Sequence, residues 1–192
     1  MSTIKPIETI YNGYRFRSRL EARWAVFFDT LGVQYIYERE GFDLGGIWYL
    51  PDFWLPDLNC WVEIKGNPTP ESSTKAFALA KHTGKLVFMF SDCLPPEIKT
   101  IYDEEDGSPD VIIRNYGIYY APDGDRDGMI SFGFCSFCKI ATLGHSSGHQ
   151  VFCNEAYEIF NGTCEGEEYG IFVGNHVRVD AAYTAARQAR FE

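Results

Sequence analysis

The stretch Pro51-Asp52-Phe53-Trp54-Leu55-Pro56-Asp57-Leu58-Asn59-Cys60-Trp61-Val62-Glu63-Ile64-Lys65 sets two carboxylates and one ammonium within an aromatic, apolar run. Ten residues separate Asp52 from Glu63. The alternation from Cys60 to Ile64 predicts a strand, in which residues two apart share a face, so Glu63 and Lys65 should point the same way. Asp52 falls on the preceding strand, and a hairpin through Pro56-Asp57-Leu58-Asn59 brings it beside Glu63. The competing reading is an edge hairpin with solvated charges. Ile47, Trp48, Tyr49, Phe53, Trp54, Trp61 and Val62 weigh against it, because charges placed in so apolar a sheet need a partner or a task.

Working outward, Ser18 is placed to cap a helix whose third residue is Glu21. Leu20, Trp24, Phe27, Phe28 and Leu31 repeat at helical spacing until Gly32 stops it. At about 100° per residue, Glu21 falls nearly in line with Phe28, on the flank of the stripe that faces the sheet. Strands are predicted over 33–38, 47–55 and 60–65, a helix over 74–82 ending at Gly84, and a buried strand over 86–90. The order is αβββαβ. Beyond residue 91, Pro95-Pro96 and an acidic stretch around Gly107-Ser108-Pro109 mark a boundary, which divides the chain into a core over 1–94 and an extension over 95–192. Within the extension, strands are expected over 111–114, 117–120 and 129–134, and a helix over 181–191.

Composition narrows the class. Hydrophobic residues at 45% and aromatics at 16% exclude a largely disordered chain. No apolar run reaches the roughly 20 residues of a membrane span, and Met1 to Pro6 lacks the pattern of an export signal, so residence in the cytoplasm and no membrane association are expected. The net charge of −10 opposes indiscriminate binding to nucleic acid, but Arg15, Arg17, Arg19 and Arg23 form a local basic cluster that could contact phosphates. Solvated helix charges are the alternative reading of that cluster.

Hard cations such as Mg²⁺ take oxygen ligands and are commonly held by one or two carboxylates together with substrate phosphate oxygens. Asp52 and Glu63 suit that role, and Lys65 suits stabilisation of charge on a phosphoryl group. The αβββαβ order, with Glu21 on the first helix, Pro51-Asp52 on the second strand and Glu63-Ile64-Lys65 on the third, resembles the PD-(D/E)xK nuclease superfamily over roughly residues 10–90. The segment Tyr14-Arg15-Phe16-Arg17-Ser18-Arg19-Leu20-Glu21-Ala22-Arg23-Trp24-Ala25 is similar to the first helix of small phage or mobile-element endonucleases and of transposase endonuclease subunits.

The resemblance implies an α/β, restriction-endonuclease-like core with a mixed sheet, and Mg²⁺- or Mn²⁺-dependent hydrolysis of DNA phosphodiesters. By the same resemblance Asp52, Glu63 and the backbone carbonyl of Ile64 are metal ligands, Lys65 lies near the attacking water, and Glu21 approaches the metal from the helix. A capping box alone would also account for Glu21. One such centre cuts one strand, so double-strand cleavage would call for a homodimer, a partner protein or two successive events. A binding module on the same fold, gripping nucleic acid through its arginines while the extension recruits a partner, is the alternative function.

Two motifs remain. Cys135-Ser136-Phe137-Cys138 is a knuckle with His145, His149, Cys153 and Cys164 downstream, which predicts a structural zinc site on Cys135, Cys138, Cys153 and Cys164, with His149 as the alternative fourth ligand. Buried thiols or a redox pair are the competing readings. Asp123-Gly124-Asp125-Arg126-Asp127-Gly128 imitates the start of a calcium loop, but Phe134 stands where that loop needs a bidentate glutamate, so an acidic hairpin turn is expected.

Overall fold

A computed structural model of the protein describes residues 6–102, 109–135, 141–145, 151–152, 172–173 and 176–191. Among the described residues the architecture is α/β, with three helices and a mixed sheet. A short hairpin, β1 (Thr9–Tyr11) and β2 (Tyr14–Phe16), precedes helix α1 (Arg19–Leu31). Its turn is Asn12-Gly13, both at positive φ, the pairing a tight hairpin favours. The main sheet then collects β3 (Ile36–Tyr37), β6 (Phe53–Leu55), β7 (Cys60–Ile64), and, after helix α2 (Pro70–Thr83), β8 (Val87–Phe90). Between β3 and β6 a separate hairpin, β4 (Phe42–Asp43) with β5 (Trp48–Tyr49), stands outside this sheet.

The predicted second strand over 47–55 is therefore two elements, because Pro51 donates no backbone hydrogen bond and restricts Leu50 before it. Its first half pairs back onto β4 across Gly45-Gly46, both at positive φ. The first predicted strand shrinks to Ile36–Tyr37, with Glu38 already in the left-handed region at φ 46°. Helix α2 begins earlier than its apolar spacing suggests, because Thr69 caps it through Ser72 and Pro70 occupies the first turn.

Strands β3, β6 and β7 form an antiparallel meander, and β7 runs parallel to β8 with α2 as the crossover. The sheet continues from β8 into β11 (Gly117–Tyr120), β12 (Arg126–Cys135), β13 (Ala141–His145) and β14 (Val151–Phe152), while β15 (Phe172–Val173) pairs with the end of β12. Strands β9 (Glu97–Tyr102) and β10 (Pro109–Arg114) make a hairpin of their own. The segment Asp123–Gly128 spans the β11–β12 turn: the Asp125 N–H donates to Asp123 Oδ1 at 3.0 Å, and the Tyr119 hydroxyl donates to Asp125.

Helix α1 and the terminal helix α3 (Val177–Gln188) cover one face, burying Trp24, Phe27, Phe28, Val179, Ala182 and Tyr183 against Phe53, Val62, Phe88, Phe90 and Phe132. On the other face α2 places Ala76, Leu79 and Ala80 on Trp54, Trp61, Val87 and Met89. Residues on both sides of position 94 thus share one sheet and one core. Among the described residues no helix is long and apolar enough to cross a membrane.

Candidate active site

Register does the first part of the work. Phe53 pairs with Val62 and Trp54 with Trp61, so the residue preceding β6, Asp52, lies opposite Glu63. The turn that sets this register is a 3₁₀ turn at Pro56–Leu58 closed by Asn59 in the left-handed conformation. Both carboxylates are almost wholly buried, each 1% exposed.

The two are interlocked. Asp52 Oδ2 accepts the Ile64 N–H at 2.7 Å, and the Asp52 N–H donates to Glu63 Oε2 at 3.3 Å. Lys65 leaves the end of β7 half-buried, forms an ion pair with Glu63 and approaches Asp52 Oδ2 to 3.9 Å. Arg17, from the turn before α1, reaches Asp52 Oδ1 at 2.5 Å and Glu38 at 2.7 Å.

Burial pushes the Asp52 carboxyl well above the usual carboxylate range; the Glu63 charge raises it further, and Lys65 and the Ile64 N–H pull it part of the way back. For Lys65, burial opposes the charge, but Asp52 and Glu63 outweigh it and raise the ammonium above its ordinary value. Arg17 is likewise raised, burial being offset chiefly by Asp52.

Glu21 is at the third position of α1 and is both a cap and a brace. Its N–H donates to Ser18 Oγ at 3.2 Å, and its carboxylate accepts the Ser18 hydroxyl at 2.7 Å, the Arg17 N–H at 3.1 Å and the Tyr37 hydroxyl at 2.6 Å. It touches neither Asp52 nor Glu63 directly, but fixes the backbone of the arginine that pairs with Asp52, and its charge adds to the rise at Asp52.

The basic cluster divides. Arg15 is exposed and tied to Glu8, and Arg19 is exposed. Arg23 is half-buried, its Nε without a hydrogen-bond partner, and its charge acts on the Cys93 thiol. Only Arg17 joins the carboxylates. Tyr49 is an addition that spacing did not single out: burial, then the charge of Glu63, raises its phenol, and its buried hydroxyl has no well-formed hydrogen bond. It is brought there by the β4–β5 hairpin, whose fold-back interrupts the strand pattern.

Among the described residues no three His, Cys, Asp or Glu side chains converge on a metal-sized space. Asp52 and Glu63 form a pair, which is a sufficient protein contribution for a hard cation. Cys138, His149, Cys153 and Cys164 lie outside the described residues, and of Cys135 and His145 only the backbone, at the ends of β12 and β13, is described. Cys60 and Cys93 are buried free thiols. Comparison with family models, curated proteins and solved structures finds no match to this chain.

Proposed function

We propose that the protein is a Mg²⁺-dependent DNA endonuclease on a restriction-endonuclease-like core, hydrolysing phosphodiester bonds at Asp52, Glu63 and Lys65. The observation that carries this reading is the buried Asp52–Glu63 pair, set side by side against its own electrostatics and bordered by half-exposed cations. Such a pair favours an added positive charge. Asp52, Glu63 and the backbone carbonyl of Ile64 would hold Mg²⁺ or Mn²⁺, which when bound neutralises phosphoryl charge and acidifies water.

The chain's own residues divide the remaining work. Lys65, raised by its two carboxylate neighbours, keeps its proton at neutral pH. It serves as a fixed positive donor to a phosphate oxygen or to the attacking water, not as a base. Arg17, about half exposed, can turn from Asp52 towards a phosphate, and Glu21 holds the backbone from which it does so. A structural zinc ion on Cys135, Cys138, Cys153 and Cys164, or His149 in place of the last, belongs to the same proposal and would be read as about one zinc per chain by elemental analysis.

One observation favours a second reading, a nucleic-acid-binding module without chemistry: Arg17, Lys65 and two backbone N–H groups already engage both carboxylates. Incubation with linear, nicked, branched and single-stranded DNA in Mg²⁺ or EDTA separates the two. Cleavage in Mg²⁺ that EDTA stops is the expected result; binding without cleavage on every substrate would establish the module instead.

A further inference from the structure

Strand alternation places Trp61 on the same face of β7 as Glu63 and Lys65, two residues or about 7 Å along the strand. There Trp61 and its partner Trp54 form the floor of an open cleft of about 440 Å³, walled by Phe42, His82, Arg39 and Lys85. This space lies outside the carboxylate site. The rings of Trp54 and Trp61 are 4.7 Å apart, Phe42 stands edge-on to Trp61 at 5.3 Å, and His82 stands edge-on to Phe42 at 5.6 Å. The Arg39 guanidinium lies over the Trp54 ring at 5.1 Å. Trp54 and Trp61 are themselves buried, 8% and 3% exposed, so the rings the cleft leaves accessible are those of Phe42 and His82.

Accessible rings of Phe42 and His82 over a buried tryptophan base, with two side-chain cations beside them, are the groups that recognise one unstacked nucleotide: a π-face for the base and positive charge for its phosphate. The volume suits a small ligand of that kind. Glu40, 3.3 Å from Arg39, also lines the cleft and partly neutralises it, so an entering phosphate would take that carboxylate's place. In a duplex the bases are stacked and paired, and entry would first require extrusion.

We propose that this cleft is a nucleotide subsite that receives an unpaired base, making single-stranded or flapped DNA the preferred ligand. Its position beside Glu63 rests on the phosphodiesterase reading for its meaning, and the test is arranged so that either can fail alone. Fluorescein-labelled (dT)₁₂, a 12-mer of abasic sites and a blunt 12-base-pair duplex are titrated with the full chain in EDTA, where no cleavage intervenes. The expected order is (dT)₁₂ tightest, with the abasic strand and the duplex each weaker by roughly tenfold.

Arg39→Ala with Lys85→Ala, both on side chains at the surface, should weaken (dT)₁₂ by roughly tenfold while the melting temperature holds. Equal affinity for the abasic strand, or an Arg39→Ala/Lys85→Ala variant that binds (dT)₁₂ as the wild type does, would overturn the subsite. Hydrolysis of bis(p-nitrophenyl) phosphate in Mg²⁺, a diester too small to span to the cleft, should be unchanged in that variant. Absent hydrolysis by the wild type would remove the chemistry and leave the binding result standing.

Discussion

Asp52 is where the fold works against itself. A carboxyl raised by burial and by Glu63 contributes its full stability at low pH, and that contribution is lost as pH rises through its elevated folded-state value. An ionised Asp52 therefore costs stability that a neutral isostere recovers, and an amide oxygen can still accept the Ile64 N–H. In EDTA, Asp52→Asn should melt at or above the wild type at pH 8, by up to roughly 4 °C, with the difference shrinking towards pH 4. A variant that melts lower at pH 8 would show that the ion pairs to Arg17 and Lys65 outweigh the burial. Glu21 invites the opposite comparison. Glu21→Gln keeps an oxygen for the Arg17 and Tyr37 donors and turns its amide to Ser18, whereas Glu21→Ala deletes all three bonds and should cost about 1–3 kcal/mol. Thermal melts check the stability. A nuclease rate that falls in Glu21→Gln at constant melting temperature would assign the charge, not the cap, to the site.

At the scale of elements, what could be read from sequence and what could not divide along physical lines. Helix α1 was legible because three local signals agree: Ser18 at the cap, Glu21 at the third position and Gly32 at φ 81° closing the end. The Asp52–Glu63 juxtaposition was legible because strand alternation and a short turn leave one register. Tyr49 and the β4–β5 hairpin were not, since a run of aromatic residues carries no sign of where the chain doubles back. Nor was the joint between β8 and β11, strands far apart in sequence with the β9–β10 hairpin between them, where Gly117 admits the Phe90 ring. A Cβ there would meet that ring at 2.4 Å, and Phe90 is held in turn by Trp24 and Phe132. Gly117→Ala should therefore destabilise by about 1–3 kcal/mol, measured as a lower urea midpoint. An unchanged midpoint would mean the joint yields without cost.

Over the whole molecule, one aromatic core joins the first helix to the last through Trp24, Phe27 and Tyr183, with centroids 4.5–6.2 Å apart. Boundary signals at Pro95-Pro96 are local and could not reveal that the sheet and this cluster run past them. The same burial leaves an alkaline weakness. Tyr11 is pushed up to about 12 by burial and by Asp29, and Tyr35, Tyr37, Tyr49 and Tyr183 are raised further, in each case first by burial. Unfolded tyrosines ionise near pH 10, so the stability present below that pH is lost as pH rises towards the folded values. Melts followed by circular dichroism should fall by on the order of 10 °C between pH 9 and pH 11. A flat profile would contradict the burial of these hydroxyls.

Whether Asp52, Glu63 and Lys65 cut a phosphodiester with a hard cation is decided by Glu63→Gln, because the shape of the side chain is kept and one ligand charge is removed. Single-turnover cleavage of 5′-labelled single-stranded and flapped DNA is measured for wild type and variant across Mg²⁺ concentrations, with EDTA as the blank. The wild type should cleave in Mg²⁺, and the variant should lose at least roughly 100-fold at an unchanged melting temperature. Cleavage by Glu63→Gln at the wild-type rate, or a wild type inert in both Mg²⁺ and Mn²⁺, would contradict it.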